Sequence, residues 1–186
     1  VVDYGSQTAQ LIARRVREQG VYSELVPFDA APEDIARLDP IGFILSGGPE
    51  SVYASGAPGL PEWVARSDRP VLGICYGMQL LAHQHGGRVA PATEREYGVA
   101  TVRLTGNGKL LAGLPDEMTV WMSHGDRVDA LPPGFRSLGE TANAPLAVMG
   151  NPDIDLYAVQ FHPEVVHTPM GPELIRNFVV NVCGAR

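Results

Sequence analysis

Short apolar runs alternate with amphipathic stretches through the first half of the chain. Val1-Val2 reads as the tail of a strand feeding the loop Asp3-Tyr4-Gly5-Ser6. Gln7 to Gln19 follows as an amphipathic helix. Leu11, Ile12 and Val16 share one side, the charged Arg14, Arg15, Arg17 and Glu18 lie mainly away from it, and Gly20 is placed to end it. Val21 to Val26 predicts a second strand, and Pro32 to Leu38 a short helix with proline in its first turn. Ile41 to Leu45 predicts a buried strand leading into Ser46-Gly47-Gly48-Pro49. Val71 to Ile74 predicts another, leading into Cys75, and Tyr76 to His85 continues as a helix stopped by Gly86-Gly87.

The middle of the chain changes period. Gly98 to Leu104 and Met118 to Met122 alternate residue by residue, with Ala100, Val102 and Leu104, then Met118, Val120 and Met122, on single faces. That pattern predicts antiparallel pairing, continued by Leu138 and by Leu146 to Met149. Tyr157 to Phe161 predicts a further strand and Pro172 to Val182 a closing helix. Strands alternating with helices imply right-handed crossovers and a mostly parallel sheet. The expected fold class is α/β: a mostly parallel central sheet flanked by helices, with an antiparallel excursion mid-chain. Repeats and low-complexity tracts are absent, so residues 1–186 read as one domain.

Composition narrows the function classes. A net charge of −7 argues against a nucleic-acid surface. Lys109 is the single lysine and sits in a Gly-rich turn, a poor setting for Schiff-base chemistry. Two cysteines, Cys75 and Cys183, are too few for a disulfide framework and suit a reducing, cytoplasmic compartment. No apolar run approaches the roughly 20 residues that span a bilayer, and the basic-plus-apolar pattern of a secretory signal is missing at the start. The first residue is Val1 rather than methionine, which favours a domain excised from a longer chain over a separate subunit.

Gly73-Ile74-Cys75-Tyr76-Gly77 sets a cysteine between glycines at a strand-to-helix turn. Such a turn is sharp and strained, lifts the side chain clear of the sheet, and needs small neighbours. The helix start behind it favours a negatively charged sulfur. A nucleophilic cysteine also needs a base and a group to orient that base. Phe161-His162-Pro163-Glu164 leaves a predicted strand in extended form, because proline disfavours helical geometry before it. Residues i and i+2 of an extended segment point the same way, so Glu164 can hold one imidazole nitrogen of His162 while the other faces Cys75. Gly47-Gly48 can present a backbone N–H to an oxyanion, and the N–H of Tyr76 is the natural second donor.

Together these residues resemble the class I (triad) glutamine amidotransferases over nearly the whole chain. Asp3-Tyr4-Gly5-Ser6-Gln7, Leu11-Ile12-Ala13-Arg14-Arg15, Ser123-His124-Gly125-Asp126 and the run His162 to Gly171 are most similar to the amidotransferase domain of GMP synthases. The resemblance implies Cys75 as nucleophile, His162 as base and Glu164 as its partner. It implies Gly48 and Tyr76 as oxyanion donors, and Gln79, Gly125 and Asp126 as glutamine contacts. Gln79 lies one helical turn beyond Cys75, on the same face. No metal or organic cofactor is implied here. ATP and Mg belong to a partner ATP-pyrophosphatase synthetase domain or subunit, whose Ser-Gly-Gly-Val-Asp-Ser type loop this chain lacks.

Other residues read as structural. His124 is expected to shape its loop, His167 to pack or face an interface, and His83 and His85 to make no metal site. Two alternatives stay open. One is an amidotransferase serving another synthetase, of anthranilate or aminodeoxychorismate type. The other is a non-catalytic flavodoxin-like binding module.

Overall fold

In the computed structural model, which describes residues 1–186, the elements alternate as β1 (Val2–Asp3), α1 (Ala9–Glu18), β2 (Val26–Pro27), α2 (Pro32–Leu38), β3 (Phe43–Leu45), α3 (Glu62–Ala65), β4 (Val71–Ile74) and α4 (Tyr76–Gln84). Four strands then follow without a helix: β5 (Arg88–Leu104), β6 (Glu117–Ala130), β7 (Arg136–Glu140) and β8 (Val148–Asn151). The chain closes with β9 (Leu156–Val159) and α5 (Gly171–Arg176), which runs on into a π-helical stretch, Asn177–Val182. All nine strands belong to one sheet, ordered β2-β1-β3-β4-β9-β8-β7-β5-β6. From β2 to β9 the pairing is parallel, and from β9 to β6 it is antiparallel. Residues 88–151 are therefore the expected antiparallel excursion, after which the chain returns to lie beside β4.

Burial explains why the parallel strands read as continuous apolar runs rather than alternating ones. Ile44, Leu72, Tyr157 and Val159 face a layer made by Ile12 and Val16 of α1 and Leu174 and Phe178 of the closing helix. Phe43, Leu45, Val71 and Ala158 face Ile35 of α2, Val64 of α3 and Met78, Leu80 and Leu81 of α4. Side chains such as Leu72, Leu45 and Phe178 are at most 1% exposed. Burying each contributes roughly 2–3 kcal/mol relative to exposure.

The structure shortens several predicted elements. Residues 21–25 do not join the sheet. β2 is an edge strand whose only neighbour, β1, offers the two partners Val2 and Asp3, so only Val26 and Pro27 can pair. Ile41 is 44% exposed and precedes β3, and the last parallel strand stops at Val159 rather than Phe161. The closing helix widens from Asn177 onward, and the Asn177 side-chain amide donates to the carbonyls of Leu110 and Ala112 at 2.9 and 2.8 Å. Helix α3 was not predicted, because its four residues after Pro61 are too short to show a period.

One glycine controls how the chain leaves β9. A Cβ on Gly171 would lie 1.9 Å from the carbonyl oxygen of Pro163, so α5 starts hard against the His162-Pro163-Glu164 segment. Gly171→Ala is expected to lower stability by roughly 3 kcal/mol or more, since backbone must move. Urea unfolding checks this, and a loss within experimental error contradicts it.

Candidate active site

Cys75 ends β4 and caps α4 with φ 53° and ψ −105°, a left-handed conformation that costs a non-glycine residue on the order of 1–3 kcal/mol. Its surroundings hold it there. The Cys75 N–H donates to the Val159 carbonyl at 2.9 Å, and its carbonyl accepts from the Gln79 N–H at 3.1 Å. A Cβ on Gly73 would come within 2.6 Å of the Gly77 carbonyl, and one on Gly77 within 2.4 Å of the Leu45 oxygen. Both glycines are required by close backbone approach. The side chain is covered rather than standing clear, with Cys75 7% exposed. Its Sγ is 3.5 Å from both the Ser123 carbonyl and the amide Nε2 of Gln160.

His162 is held from its backbone outward. Its N–H donates to the Trp121 carbonyl at 2.9 Å, and its carbonyl accepts from Thr168 Oγ1 at 2.7 Å. Thr168 in turn accepts from the Trp121 N–H at 3.0 Å, which staples the segment to β6. On the ring, Nδ1 meets Glu164 Oε1 at 2.6 Å. Glu164 is fully buried, and the same oxygen accepts from Thr8 Oγ1 at 2.7 Å, while its backbone carbonyl accepts from Arg15 Nε at 2.9 Å. On its other side the ring lies near Cys75, since both side chains pack on Gly47. Burial disfavours the charged imidazole. The nearby Cys75 sulfur and the Glu164 carboxylate outweigh it and push the pKa up to about 10.

Gly47 lies against both reacting side chains. A Cβ there would meet His162 Cε1 at 3.1 Å and the Cys75 Cβ at 3.6 Å. Gly48 packs against Tyr4, whose carbonyl oxygen would be 2.5 Å from an added Cβ. The Gly48 N–H enters no backbone hydrogen bond, and that of Tyr76, first residue of α4, has no intrahelical acceptor.

Gln79 is 4% exposed, its Nε2 donating to the Asp126 carbonyl at 3.1 Å. The Asp126 carboxylate accepts from Ser51 at 2.5 Å and Tyr53 at 2.6 Å, tying the loop after Gly48 to β6. Gly125 lies under the Arg95 side chain. Thus the structure gathers Cys75, His162, Glu164, Gly48, Tyr76, Gln79, Gly125 and Asp126 around the carboxyl ends of the adjacent strands β3, β4 and β9, walled by β6.

Sequence reasoning passed over Thr8, Gln160 and Thr168. Thr8 carries no motif, Thr168 bonds a neighbouring strand, and only the position of Gln160, two residues before His162, could have flagged it. His85, His167 and the second cysteine lie outside this cluster. His167 packs on Trp121 with ring centroids 4.5 Å apart, and His85 packs near Phe135. Cys183 lies against Gly42 near the opposite ends of the strands, where burial pushes its thiol up to about 12. No group of three or more His, Cys, Asp or Glu side chains is arranged to hold a metal ion, and no helix is long and apolar enough to cross a membrane.

A buried thiol beside an imidazole that a carboxylate holds, at a strand-to-helix elbow near free N–H groups, provides the parts of a covalent acyl-transfer site. The class-I glutamine amidotransferase family model matches residues 1–182, and the chain belongs to that family. It is 60% identical over 184 residues to the GMP synthase [glutamine-hydrolyzing] of Thermomicrobium roseum, covering 99% of this chain and 34% of that protein. With the enzyme of the same name from Syntrophomonas wolfei the identity is 53%, covering 100% and 36%. The chain thus spans about a third of the length of the curated relatives it matches. Among solved structures, a candidate GMP synthase subunit from Thermoplasma acidophilum superposes with a TM-score of 0.88 at 33% identity, covering 98% of this chain and 91% of that one. A glutamine amidotransferase from Thermotoga maritima shares the fold, with a TM-score of 0.80 at 18% identity and coverage of 99% and 96%.

With its pKa raised above the ordinary 6.5, the charged His162 ring contributes stability that is fully present below about pH 6.5 and is lost as pH rises through about 10. An NMR titration is expected to show this ring doubly protonated between about pH 6 and 8. A midpoint near that of a free histidine contradicts the coupled pair.

Proposed function

We propose that this chain is the glutamine-hydrolysing part of a GMP synthase, with Cys75, His162 and Glu164 as its catalytic triad. The observation that carries the reading is that the Cys75 and His162 side chains pack together on Gly47, with the buried Glu164 carboxylate 2.6 Å from Nδ1 of that ring. The Cys75 sulfur, as thiolate, attacks the side-chain amide carbon of glutamine, and the Gly48 and Tyr76 N–H groups take the developing oxyanion. The carbon–nitrogen bond breaks as His162 delivers its proton to the departing nitrogen. Ammonia leaves, and a glutamyl thioester remains. Water then attacks the thioester, returning a proton to His162 and the electron pair to sulfur, and glutamate is released. Glu164 keeps the ring in register throughout. Gln79 and the Gly125–Asp126 backbone hold the amino-acid end of the substrate.

The likeness to GMP synthases supports XMP as the destination of the ammonia, in an ATP-pyrophosphatase domain or subunit that carries the ATP and Mg. No cofactor is assigned to this domain. Because a neutral amine is protonated once it reaches bulk water, the reading requires direct delivery to that partner. Hydrolysis by this chain alone is expected to be slow, and vigorous turnover without partner or nucleotide contradicts the coupling.

Mass spectrometry after treatment with a glutamine-like chloroketone tests the chemistry. A single adduct on Cys75, blocked by excess glutamine, is expected, and labelling elsewhere overturns the assignment. Glu164→Gln should lower kcat by roughly 100-fold to 10,000-fold, because a neutral amide no longer stabilises the charged ring or fixes its tautomer. An unchanged kcat in steady-state assays removes Glu164 from the triad.

A further inference from the structure

A buried polar pair stands directly behind the proposed glutamine contacts. Glu96 of β5 and His124 of β6 are opposite each other in register, where pairing resumes after the irregularity between Pro91 and Glu96. They are 9% and 3% exposed. Nδ1 of His124 lies 2.8 Å from the Asp126 carbonyl, which can only accept, so the ring donates. Its Nε2 faces Glu96 Oε1 at 3.3 Å. Glu96 is fixed in turn by Thr141 Oγ1, at 3.0 and 3.3 Å from its two oxygens, and Thr141 accepts from the Ala144 N–H at 3.0 Å.

The Asp126 carbonyl also receives the Gln79 amide, at 3.1 Å. One oxygen therefore joins the helix residue and the strand backbone that together face the substrate. An apolar cross-strand pair would hold the hairpin without the desolvation that a buried carboxylate and imidazole incur. What the polar pair adds is a donor aimed at that oxygen, backed by a carboxylate that stops the ring from turning. The arrangement parallels the one at Glu164 and His162, where a carboxylate likewise orients an imidazole for a task at its other nitrogen.

We propose that Glu96 is a positioning residue for glutamine, acting through His124 to set the Asp126 carbonyl, the Gly125–Asp126 backbone and the Gln79 amide. The proposal rests on the reading of those three residues as glutamine contacts. Glu96 touches neither Cys75 nor His162, so its loss weakens substrate capture and leaves the reactivity of the sulfur in place.

The test compares two alkylating reagents on the full chain. One is a glutamine-like chloroketone, which carries the amino-acid end, and the other is iodoacetamide, which does not. In Glu96→Ala the half-saturating chloroketone concentration should rise by roughly tenfold, with a smaller rise in the isosteric Glu96→Gln. The iodoacetamide rate at Cys75 should stay within about twofold of the unsubstituted chain in both, on the scale where tenfold is 1.4 kcal/mol. An unchanged half-saturation overturns the proposal alone. Equal slowing with both reagents marks a merely structural role and overturns it too. Failure of the chloroketone to label the unsubstituted chain overturns the glutaminase reading and the proposal together. His124→Asn and His124→Gln add an independent arm. An asparagine amide can still reach the Asp126 carbonyl as Nδ1 does, so it should retain tighter chloroketone binding than glutamine at that position, and the reverse order contradicts the proposed geometry.

Discussion

Everything at the site depends on one residue held in a conformation it would not choose. Cys75 sits at φ 53° because the chain must reverse from β4 into α4 within a single residue. The turn closes only if Gly73, Gly77 and the Leu45 backbone come into contact without side chains between them. Those contacts tie the elbow to β3 on one side, and the Cys75 N–H ties it to β9 on the other. The same tightness that strains the backbone therefore brings the loop after β3 and the histidine after β9 to the sulfur. Strain in the elbow and convergence of the site are one constraint seen from two directions.

The two halves of the sheet contribute different things. The parallel half, β3-β4-β9, brings the Gly47-Gly48 loop, Cys75 and His162 together at adjacent strand ends, where open α/β sheets generally place their sites. The antiparallel excursion supplies a wall. Its β6 presents the Ser123 carbonyl to the sulfur, the Trp121 carbonyl to the His162 backbone and the Asp126 carbonyl to Gln79. Loss of hairpin order would thus disturb the histidine before it disturbed the cysteine, since Cys75 is anchored within the parallel half.

Much of this was legible in residue order. The apolar runs at Val71–Ile74 and Ile41–Leu45 marked strand ends, and flanking glycines marked the elbow. The pairing of His162 with Glu164 held, although the chain turns at Pro163 and Glu164 instead of staying extended. Gln79 came from the family resemblance, and helical spacing placed it on the Cys75 face. What stayed hidden were partners set by tertiary packing. Thr8 reaches Glu164 across 156 residues, and Glu96 meets His124 only through strand register. Neither sits in a pattern of its own. The overlong strand at residues 21–26 failed for a related reason, since an edge strand can be no longer than the neighbour that pairs with it.

The bond from Thr8 to Glu164 has a consequence for synthesis of the protein. The first helix leaves the ribosome early, yet the carboxylate it must grip emerges only near the end of the domain, and α5 must then pack beneath Pro163. Contacts so distant in sequence form late. A nascent chain therefore exposes Cys75 well before Glu164, and the His162 ring has no orienting carboxylate until that late segment joins the sheet.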